Sequence, residues 1–250
     1  MDTFQVRLSP IDEERFGIRT ARAMIVVPED IARMLEFCQS HQVVFLIARC
    51  PVAKLHTVQA MEQQGFLLMD TLLYYVRHLT KSPIPEDRAQ SLVRPIRPGE
   101  EEQVREIAAQ SFQGYYGHYH ADPRLDRTKC DEAYVSWAVR SVTSREVADE
   151  VLVAEIDGRL AGFATLRRNH DQEGEGVLYG VAPWAQGRGI YRSFMIQSME
   201  WGKAQGFQRM LYSTQVTNVA VQKVWVRVGA EVSHAYYTFH RWFDEAGSSI

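Results

Sequence analysis

One short segment, residues 181–191, constrains the fold of this chain more than any other. It reads VAPWAQGRGIY and separates an apolar, strand-like run from a stretch with helical spacing that continues to about residue 205. A strand that passes through a glycine turn into a helix points the unpaired N–H groups of the first helical turn at one place. Glycine is favoured there because the backbone must approach a ligand closely or adopt positive φ. The segment predicts a phosphate or pyrophosphate site with added charge from Arg188, although a tight turn that only packs a helix on a sheet would also explain the glycines.

The residues around the glycines exclude two common phosphate-binding motifs. No Gly-Lys-Ser/Thr sequence follows them, as a P-loop requires, and the third glycine of a dinucleotide-binding fingerprint is missing.

Composition narrows the class of protein further. The net charge of −3, from 28 basic and 31 acidic residues, gives no electrostatic sign of nucleic-acid binding. The apolar runs are too short to span a membrane, and the N-terminus lacks the apolar segment of a signal peptide. Three widely spaced cysteines fit neither a disulfide framework nor a zinc site. We expect a cytoplasmic protein without metal, membrane span or nucleic-acid partner, and we leave open whether it forms a homodimer.

Hydrophobic periodicity predicts a chain that mixes helices and strands. Helices are expected around residues 31–38, 53–64, 99–112 and 218–228. Two more are expected, one that begins near residue 131 and one that follows the glycine loop and ends near residue 205. Strands are expected at residues 5–8, 43–48, 66–78, 92–96, 151–156, 160–166, 176–181, 210–215 and 236–242, with a polar loop at residues 167–174. Asp157-Gly158 is a strong hairpin signal.

The chain divides into two parts of unequal size. Residues 80–91 are mostly polar and contain two prolines, which is typical of a linker. We place an N-terminal domain at residues 1–83, the linker at 84–91 and a second domain at 92–250. Gly65 precedes a tyrosine pair at residues 74–75, and Gly229 precedes another at 236–237, which suggests that the first domain is a partial copy of the second.

The order of elements after the linker, together with the glycine loop, resembles the GNAT superfamily of acyl-CoA-dependent N-acetyltransferases. The family loop, Gln/Arg-x-x-Gly-x-Gly/Ala, is matched by the sequence from Gln186 to Ile190, but Tyr191 stands where the family has a small residue. The resemblance implies an α+β fold (or α/β) with a mixed, mainly antiparallel central sheet, preceded here by a smaller partial GNAT-like domain. It also implies acetyl-CoA as cosubstrate.

A second match follows downstream. The family pattern Asn-x-x-Ala-x-x-x-Tyr-x-x-x-Gly is represented by Asn218, Val221, Trp225 and Gly229. In the family the asparagine contacts the CoA arm and the tyrosine protonates the departing thiolate. An indole N–H donates a hydrogen bond but is not a usable acid near neutral pH, so a core role is favoured for Trp225. Asn218 also suits a helix N-cap.

The resemblance assigns the cofactor contacts and the reaction. The strand before the loop would part from its neighbour and hydrogen-bond the pantetheine, and the Val181 N–H would polarise the thioester carbonyl. A neutral amine would attack the thioester directly in a ternary complex. The implied cofactor-binding residues are Leu178, Gly180, Val181, Gln186, Gly187, Arg188, Gly189, Ile190, Tyr191, Asn218 and Trp225.

The acceptor is suggested by a narrower resemblance to the TDP-fucosamine acetyltransferases. The Arg15-Phe16-Gly17 stretch, the turn before Phe66 and an aromatic segment ahead of Tyr134 carry this likeness. It implies that the acceptor is a small molecule, a nucleotide-linked amino-dideoxy sugar used in polysaccharide synthesis, and that its amino group receives the acetyl group. Two alternatives stay open: another amine, antibiotic or peptide acceptor, and a catalytically inactive module that binds CoA or a nucleotide.

The aromatic segment also supplies candidates for acid–base chemistry. His118 and His120 are candidate bases, because histidine titrates near neutrality, although loop histidines are usually only solvated. Tyr237 is a candidate proton donor, with Tyr236, Tyr212 and water as alternatives. The candidate acceptor-binding residues, which could equally cover a core edge, are Tyr115, Tyr116 and Tyr119. Grouped arginines at positions 15, 19 and 22 suit either a substrate pyrophosphate or a solvated basic face.

Overall fold

A computed structural model describes residues 3–87 and 92–243 of the chain. Two compact units are present, and each is discontinuous in sequence. Unit 1 comprises Met1–Leu73, Tyr116–Cys130 and His234–Ile250, and unit 2 comprises Tyr74–Tyr115 and Asp131–Ser233. These bounds differ from the predicted division at residues 83 and 92, because the short segment 116–130 and the last strand group with the N-terminal residues. Residues 88–91 of the predicted linker lie outside the described residues.

The secondary structure alternates between helices and strands, as predicted. The strands are β1 (Gln5–Leu8), β2 (Thr20–Met24), β3 (Phe45–Pro51), β4 (Leu67–His78), β5 (Leu92–Pro95), β6 (Glu150–Ile156), β7 (Arg159–His170), β8 (Glu173–Val181), β9 (Arg209–Gln215) and β10 (Glu231–Trp242). The helices are α1 (Pro10–Phe16), α2 (Glu29–Ser40), α3 (Leu55–Gln63), α4 (Glu101–Ser111), α5 (His118–Ala121), α6 (Arg127–Thr143), α7 (Ile190–Ala204) and α8 (Val219–Arg227).

Unit 1 is built on strands in the order β1-β2-β3-β10. β1 and β2 are antiparallel, β2 and β3 are parallel, and β3 and β10 are antiparallel. Ile31, Met34 and Cys38 of α2 are buried in its core, as their helical spacing predicts. The turn into α2 is closed by its own carboxylate, because Asp30 Oδ2 accepts the N–H groups of Val26 and Val27, each at 3.0 Å.

Unit 2 contains strands in the order β4-β9-β8-β7-β6-β5. The pairs β5–β6, β6–β7 and β7–β8 are antiparallel, and β8–β9 is parallel. The sheet is therefore mixed and mainly antiparallel, as expected. Helix α7 packs Ile190 and Phe194 into the unit 2 core against Ala164 and Leu166 of β7.

Two turn predictions are confirmed by backbone geometry. Gly65 follows α3 with φ of 77°, and Asp157 and Gly158 join β6 to β7 with φ of 51° and 77°. Positive φ at both central residues matches the twist of the flanking strands and favours Asp-Gly there.

The predicted polar loop at residues 167–174 is wrong. β7 continues to His170 and β8 begins at Glu173, so only two residues form the turn. These strand ends lack the alternation of apolar and polar residues that predicts a strand, because charged residues pair across them. Arg167 forms a 2.6 Å ion pair with Glu175, the residue directly opposite. The sequence also gave no prediction for α1 or β2, and α6 begins four residues earlier than expected.

None of the helices in the described parts of the chain is long and apolar enough to cross a membrane.

Candidate functional site

The parallel strands β8 and β9 of unit 2 separate part-way along their length. They pair from Glu173 opposite Arg209 to Gly176 opposite Tyr212, and within the described residues no later position of β8 pairs with β9. Both strands nevertheless continue, β8 to Val181 and β9 to Gln215. We call residues 177–181 and 213–215 the splay. The splay was predicted for the strand before the glycine loop and is confirmed.

A β-bulge fixes which backbone groups face the splay. Thr165 of β7 lies opposite Leu178, whereas Leu166 lies opposite Gly176, so Val177 is an extra residue in β8. The Leu178 N–H donates to Thr165 Oγ1 at 3.1 Å, and the Ala182 N–H donates to the Ala161 carbonyl at 2.8 Å. Because N–H groups alternate in direction along a strand, those of Tyr179 and Val181 point away from β7, toward the side that β9 has left.

The glycine loop turns the chain from β8 into α7. A short 3-10 turn at Pro183–Ala185 precedes Gln186, whose side-chain amide donates to the Val181 carbonyl at 3.4 Å. Gly187 and Gly189 have φ of 78° and 82°, in the left-handed region that other residues rarely adopt. The predicted requirement for glycine at this turn is therefore confirmed by the backbone.

The loop ends in an uncapped helix N-terminus. Gly189 occupies the N-cap and has no side chain to accept the first N–H groups of α7. Ile190 is buried and anchors the helix, while Arg188 is exposed. In the described residues no side chain accepts an N–H from residues 187–191. This arrangement of main-chain donors beside a guanidinium fits an anion such as a pyrophosphate.

Helix α8 carries the two candidates from the downstream motif. Asn218 occupies its N-cap position, but the side-chain amide donates to Thr214 Oγ1 at 3.0 Å instead of capping the helix. Trp225 is 3% exposed and packs between Tyr75 and Tyr212, with ring centroids 5.1 and 5.8 Å away. The core placement favoured for Trp225 is confirmed. Its indole N–H donates to the Tyr191 hydroxyl at 3.3 Å, a contact the sequence did not suggest.

A comparison with known families decides what unit 2 is. The acetyltransferase (GNAT) family matches residues 102–230, just over half of the chain. The chain belongs to the GNAT family. The loop and the order of elements predicted this family from the sequence.

The chain is 25% identical over 203 residues to the spore coat polysaccharide biosynthesis protein SpsD of Bacillus subtilis strain 168, a match that covers 79% of this chain. The match spans 66% of that protein, slightly less than two thirds of its length.

Solved structures share the GNAT fold at low sequence identity. A GCN5-related N-acetyltransferase from Sphaerobacter thermophilus has a TM-score of 0.64 and 14% identity, with 95% of this chain and 76% of that one covered. A tandem GNAT protein from the clavulanic acid biosynthesis pathway has a TM-score of 0.61 and 14% identity, with 90% and 76% covered.

The three tyrosines predicted to bind the acceptor have different surroundings. Tyr115 lies in unit 2, where its ring packs on Phe112 and Tyr134 and its hydroxyl donates to Gln215 Oε1. Tyr116 is 60% exposed.

Tyr119 is buried in unit 1, and its place there is structural. Its hydroxyl donates to Asp12 Oδ1 at 2.6 Å and accepts from Arg22, while its ring packs against Phe16 and His118. The prediction that Tyr119 stacks on a sugar is not supported by this burial.

The two candidate bases are also buried in unit 1, not solvated in a loop. His118, Tyr119 and His120 form the short helix α5, which begins after Gly117. His120 Nδ1 accepts the Gly117 N–H at 3.3 Å. Nothing in the spacing of the sequence predicts the partners of His118, because the nearest of them on β10 is 122 residues away.

His118 belongs to a buried chain of hydrogen bonds that ends on a carboxylate. His118 Nδ1 lies 2.9 Å from His240 Nε2, and His240 Nδ1 lies 2.8 Å from Asp122 Oδ2. Trp242 Nε1 donates to the same carboxylate oxygen at 2.9 Å. An ionised Asp122 only accepts, so His240 carries its proton on Nδ1 and a neutral His240 accepts at Nε2 from His118. This order leaves the lone pair of His118 on Nε2.

Burial keeps both histidines neutral near pH 7. Desolvation lowers the pKa of His118 well below its ordinary value, and nearby positive or protonatable groups act in the same direction: His240, Arg22, Arg49 and His120. Desolvation also lowers the pKa of His240, although the hydrogen bond to Asp122 opposes it. Burial acts to raise the pKa of Asp122, but hydrogen bonds from His240 and Trp242 outweigh it, and the pKa falls.

The candidate proton donor Tyr237 and the grouped arginines lie in unit 1. Tyr237 is partly buried on β10, packs against the unit 1 core and lies opposite Cys50. The arginines have protein partners: Arg22 binds both oxygens of Asp12 at 2.6 and 3.0 Å, Arg15 lies 3.6 Å from the same carboxylate, and Arg19 pairs with Glu13 at 3.0 Å. A substrate pyrophosphate would have to displace these ion pairs.

Proposed function

We propose that this enzyme transfers the acetyl group of acetyl-CoA to the amino group of a nucleotide-linked amino-dideoxy sugar in polysaccharide synthesis. The observation that carries the proposal is the splay beside the glycine loop, where unpaired main-chain donors follow one another along the strand and the helix start. The acceptor class rests on the resemblance to TDP-fucosamine acetyltransferases and on the similarity to a polysaccharide biosynthesis protein.

The chain's own groups fit acetyl-CoA in two sections. The N–H groups of residues 187–191 and the guanidinium of Arg188 would hold the pyrophosphate. The backbone of the splay would pair with the amide groups of the pantetheine arm, as an added strand does. Gly180 lies opposite Phe163, and a Cβ there would come within 2.6 Å of that ring and 2.7 Å of Ser111 Oγ, so its glycine serves packing.

The reaction is a direct displacement at the thioester carbonyl. The amine nitrogen forms a bond to the acetyl carbonyl carbon, and the C–S bond to CoA breaks. The amine loses one proton and the CoA thiolate gains one, so the step balances. The Val181 N–H, aimed into the splay, would stabilise the negative charge that develops on the carbonyl oxygen. Holding both reactants in line supplies much of the remaining rate enhancement.

His118 is the stronger of the two candidate bases. The chain from Asp122 through His240 leaves a neutral imidazole with its lone pair on Nε2, the form that can accept the proton of the amine as the new C–N bond forms. We expect His118→Gln to lower kcat by about 10²-fold and to change its pH dependence. His41→Gln, an exposed histidine of the same unit, is the matched control and should leave kcat within about twofold. An unchanged kcat in the His118 variant would remove His118 from the mechanism and leave His120 to be tested.

The acceptor is tested by following free thiol with acetyl-CoA and a panel of amines. The panel contains dTDP- and UDP-linked 4-amino-4,6-dideoxyhexoses, the same sugars without nucleotide, an aminoglycoside and a peptide. We expect kcat/KM to be highest for a sugar nucleotide. Turnover confined to the aminoglycoside or the peptide would overturn the acceptor assignment and leave acetyl transfer intact.

A further inference from the structure

Two of the positions at which this chain departs from the GNAT motifs are in contact. Tyr191 replaces a small residue of the loop, and Trp225 replaces the tyrosine of the last helix, 34 residues later. The indole N–H of Trp225 donates to the Tyr191 hydroxyl at 3.3 Å. Trp225 therefore removes the family's phenol from α8. Tyr191 supplies a phenol from α7, and its hydroxyl accepts the hydrogen bond of the Trp225 indole.

The pair lies where β8 and β9 part. The Tyr191 ring is 5.5 Å from that of Tyr179, which belongs to the splayed part of β8. The Trp225 ring is 5.8 Å from that of Tyr212, the last residue of β9 that pairs with β8. Tyr191 and Trp225 thus pack against both strands at the point of separation.

The hydroxyl of Tyr191 is set up as a donor. A phenol carries one proton and can also accept, and Trp225 occupies an accepting position. No acceptor for the Tyr191 proton occurs among the described residues, and the side chain is only partly buried. Burial raises the pKa of Tyr191, although the hydrogen bond from Trp225 opposes it, so the phenol stays protonated at neutral pH.

Three other phenols of unit 2 have engaged hydroxyls, whereas the buried Tyr179 hydroxyl has no hydrogen-bond partner among the described residues. Tyr75 donates to Gln222 Oε1 at 3.2 Å, Tyr115 donates to Gln215, and Tyr212 lies 2.9 Å from Ser198 Oγ in the core. Tyr212, considered from the sequence as a proton donor, is fully buried in that contact.

We infer that Tyr191 donates a hydrogen bond to the departing sulfur of CoA and that Trp225 is the positioning residue that holds its hydroxyl. The inference rests on acetyl transfer from acetyl-CoA but not on the identity of the acceptor. As the C–S bond breaks, the Tyr191 O–H stabilises the thiolate. The thiolate then takes up one proton to become the thiol, which balances the proton released by the amine, and Tyr191 ends the cycle protonated.

The decisive measurement needs no acceptor. The thiol pKa of CoA bound to the enzyme is followed by thiolate ultraviolet absorbance across pH. Loss of one hydrogen bond to a charged group should raise that pKa by about one unit in Tyr191→Phe. The single-turnover rate of acetyl transfer should fall by about tenfold, with little change in the Kd of acetyl-CoA.

Relocating the phenol tests position separately from folding. Tyr191→Phe/Trp225→Tyr places the phenol on α8, where the family has it, and we expect it to regain most of the rate lost by Tyr191→Phe. Tyr75→Phe, which removes a phenol from the other side of Trp225, is the matched control and should leave the bound thiol pKa unchanged. A Tyr191→Phe enzyme with an unshifted thiol pKa and a rate within twofold of the parent would overturn the inference. Failure of every sugar nucleotide as acceptor would leave it untouched.

Discussion

Two crossovers of the described residues, β2–α2–β3 and β8–α7–β9, each connect paired parallel strands through a helix, and they differ in two respects. In unit 1, β2 and β3 stay paired from Thr20–Phe45 to Met24–Arg49, and the Ile25 N–H continues the ladder to the Arg49 carbonyl at 2.9 Å. In the turn into α2, the carboxylate of Asp30 accepts hydrogen bonds from the N–H groups of Val26 and Val27. In unit 2, β8 and β9 separate after Gly176, and the turn into α7 has glycine and no carboxylate.

This difference separates a structural crossover from a binding one. The first crossover satisfies its backbone donors internally, which stabilises the fold and leaves nothing for a ligand. The second leaves the donors of the splay and of the first helical turn for an external anion and an extended ligand. A crossover of this topology can therefore exist without unpaired donors for a ligand.

Proline substitution should separate the two crossovers most strongly. In Val181→Pro the lost N–H faces the splay, so we expect kcat to fall by about 10²–10³-fold with little change in Tm. Ala48→Pro interrupts β3, which is paired on both sides, and should cost about 3 kcal/mol or more of unfolding free energy. Thermal melts and acetyl-CoA turnover check both variants. A Val181→Pro enzyme with parental kcat would remove the Val181 N–H from catalysis.

Acid should affect unit 1 more than unit 2, because unit 1 holds the buried His118–His240 pair. Both histidines have lowered pKa values, so below about pH 6.5 the unfolded chain binds protons that the folded chain does not. Their contribution to stability is present above that pH and is lost as the pH falls, by up to about 1.4 kcal/mol per pH unit for each histidine.

Hydrogen exchange from pH 7 to pH 5 should therefore show protection lost first at β3 and β10. His240→Asn should flatten the dependence of Tm on pH in this range. Earlier loss of protection in β7 and β8 would contradict this assignment.

Removing the Asp30 carboxylate should leave the N–H groups of the unit 1 turn without their acceptor, and it should not create a binding site for CoA. Asp30→Ala leaves the N–H groups of Val26 and Val27 without their acceptor, at a cost of about 1–3 kcal/mol in unfolding free energy. The KM for acetyl-CoA should not change. An Asp30→Ala variant with raised affinity for CoA would show that the first crossover retains a nucleotide site.

Adding a carboxylate to the unit 2 turn should have the converse effect. Arg188 is exposed, so Arg188→Ala should raise the KM for acetyl-CoA only about twofold to fivefold. Arg188→Asp adds repulsion from the pyrophosphate and should raise it by about tenfold, less so at high salt. Equal KM values for the two variants would place the pyrophosphate elsewhere.

The sequence predicted the second crossover well, because its determinants are local. The glycines of the loop, the apolar face of α7 and the Asp157-Gly158 turn each act within a few residues. The partners of His118 and Tyr191 were not predictable in the same way. His240 and Trp225 reach them only through the fold, and the charged hairpin at residues 167–174 lacks the alternation that reveals a strand. Burial of α5 was missed because His118, Tyr119 and His120 have polar side chains, which the fold nevertheless buries with hydrogen-bond partners.

The bulge at Val177 determines toward which face of the sheet each later side chain of β8 points, and toward which neighbouring side each later N–H group points. Without that one residue, each later side chain would change faces, and Val181 would move toward the position where Gly180 meets Phe163 and Ser111. The outward N–H groups would turn toward β7 at the same time. A single-residue deletion at this point would thus misplace the side chains and the backbone donors together, so the length of the strand, as much as its composition, encodes the site.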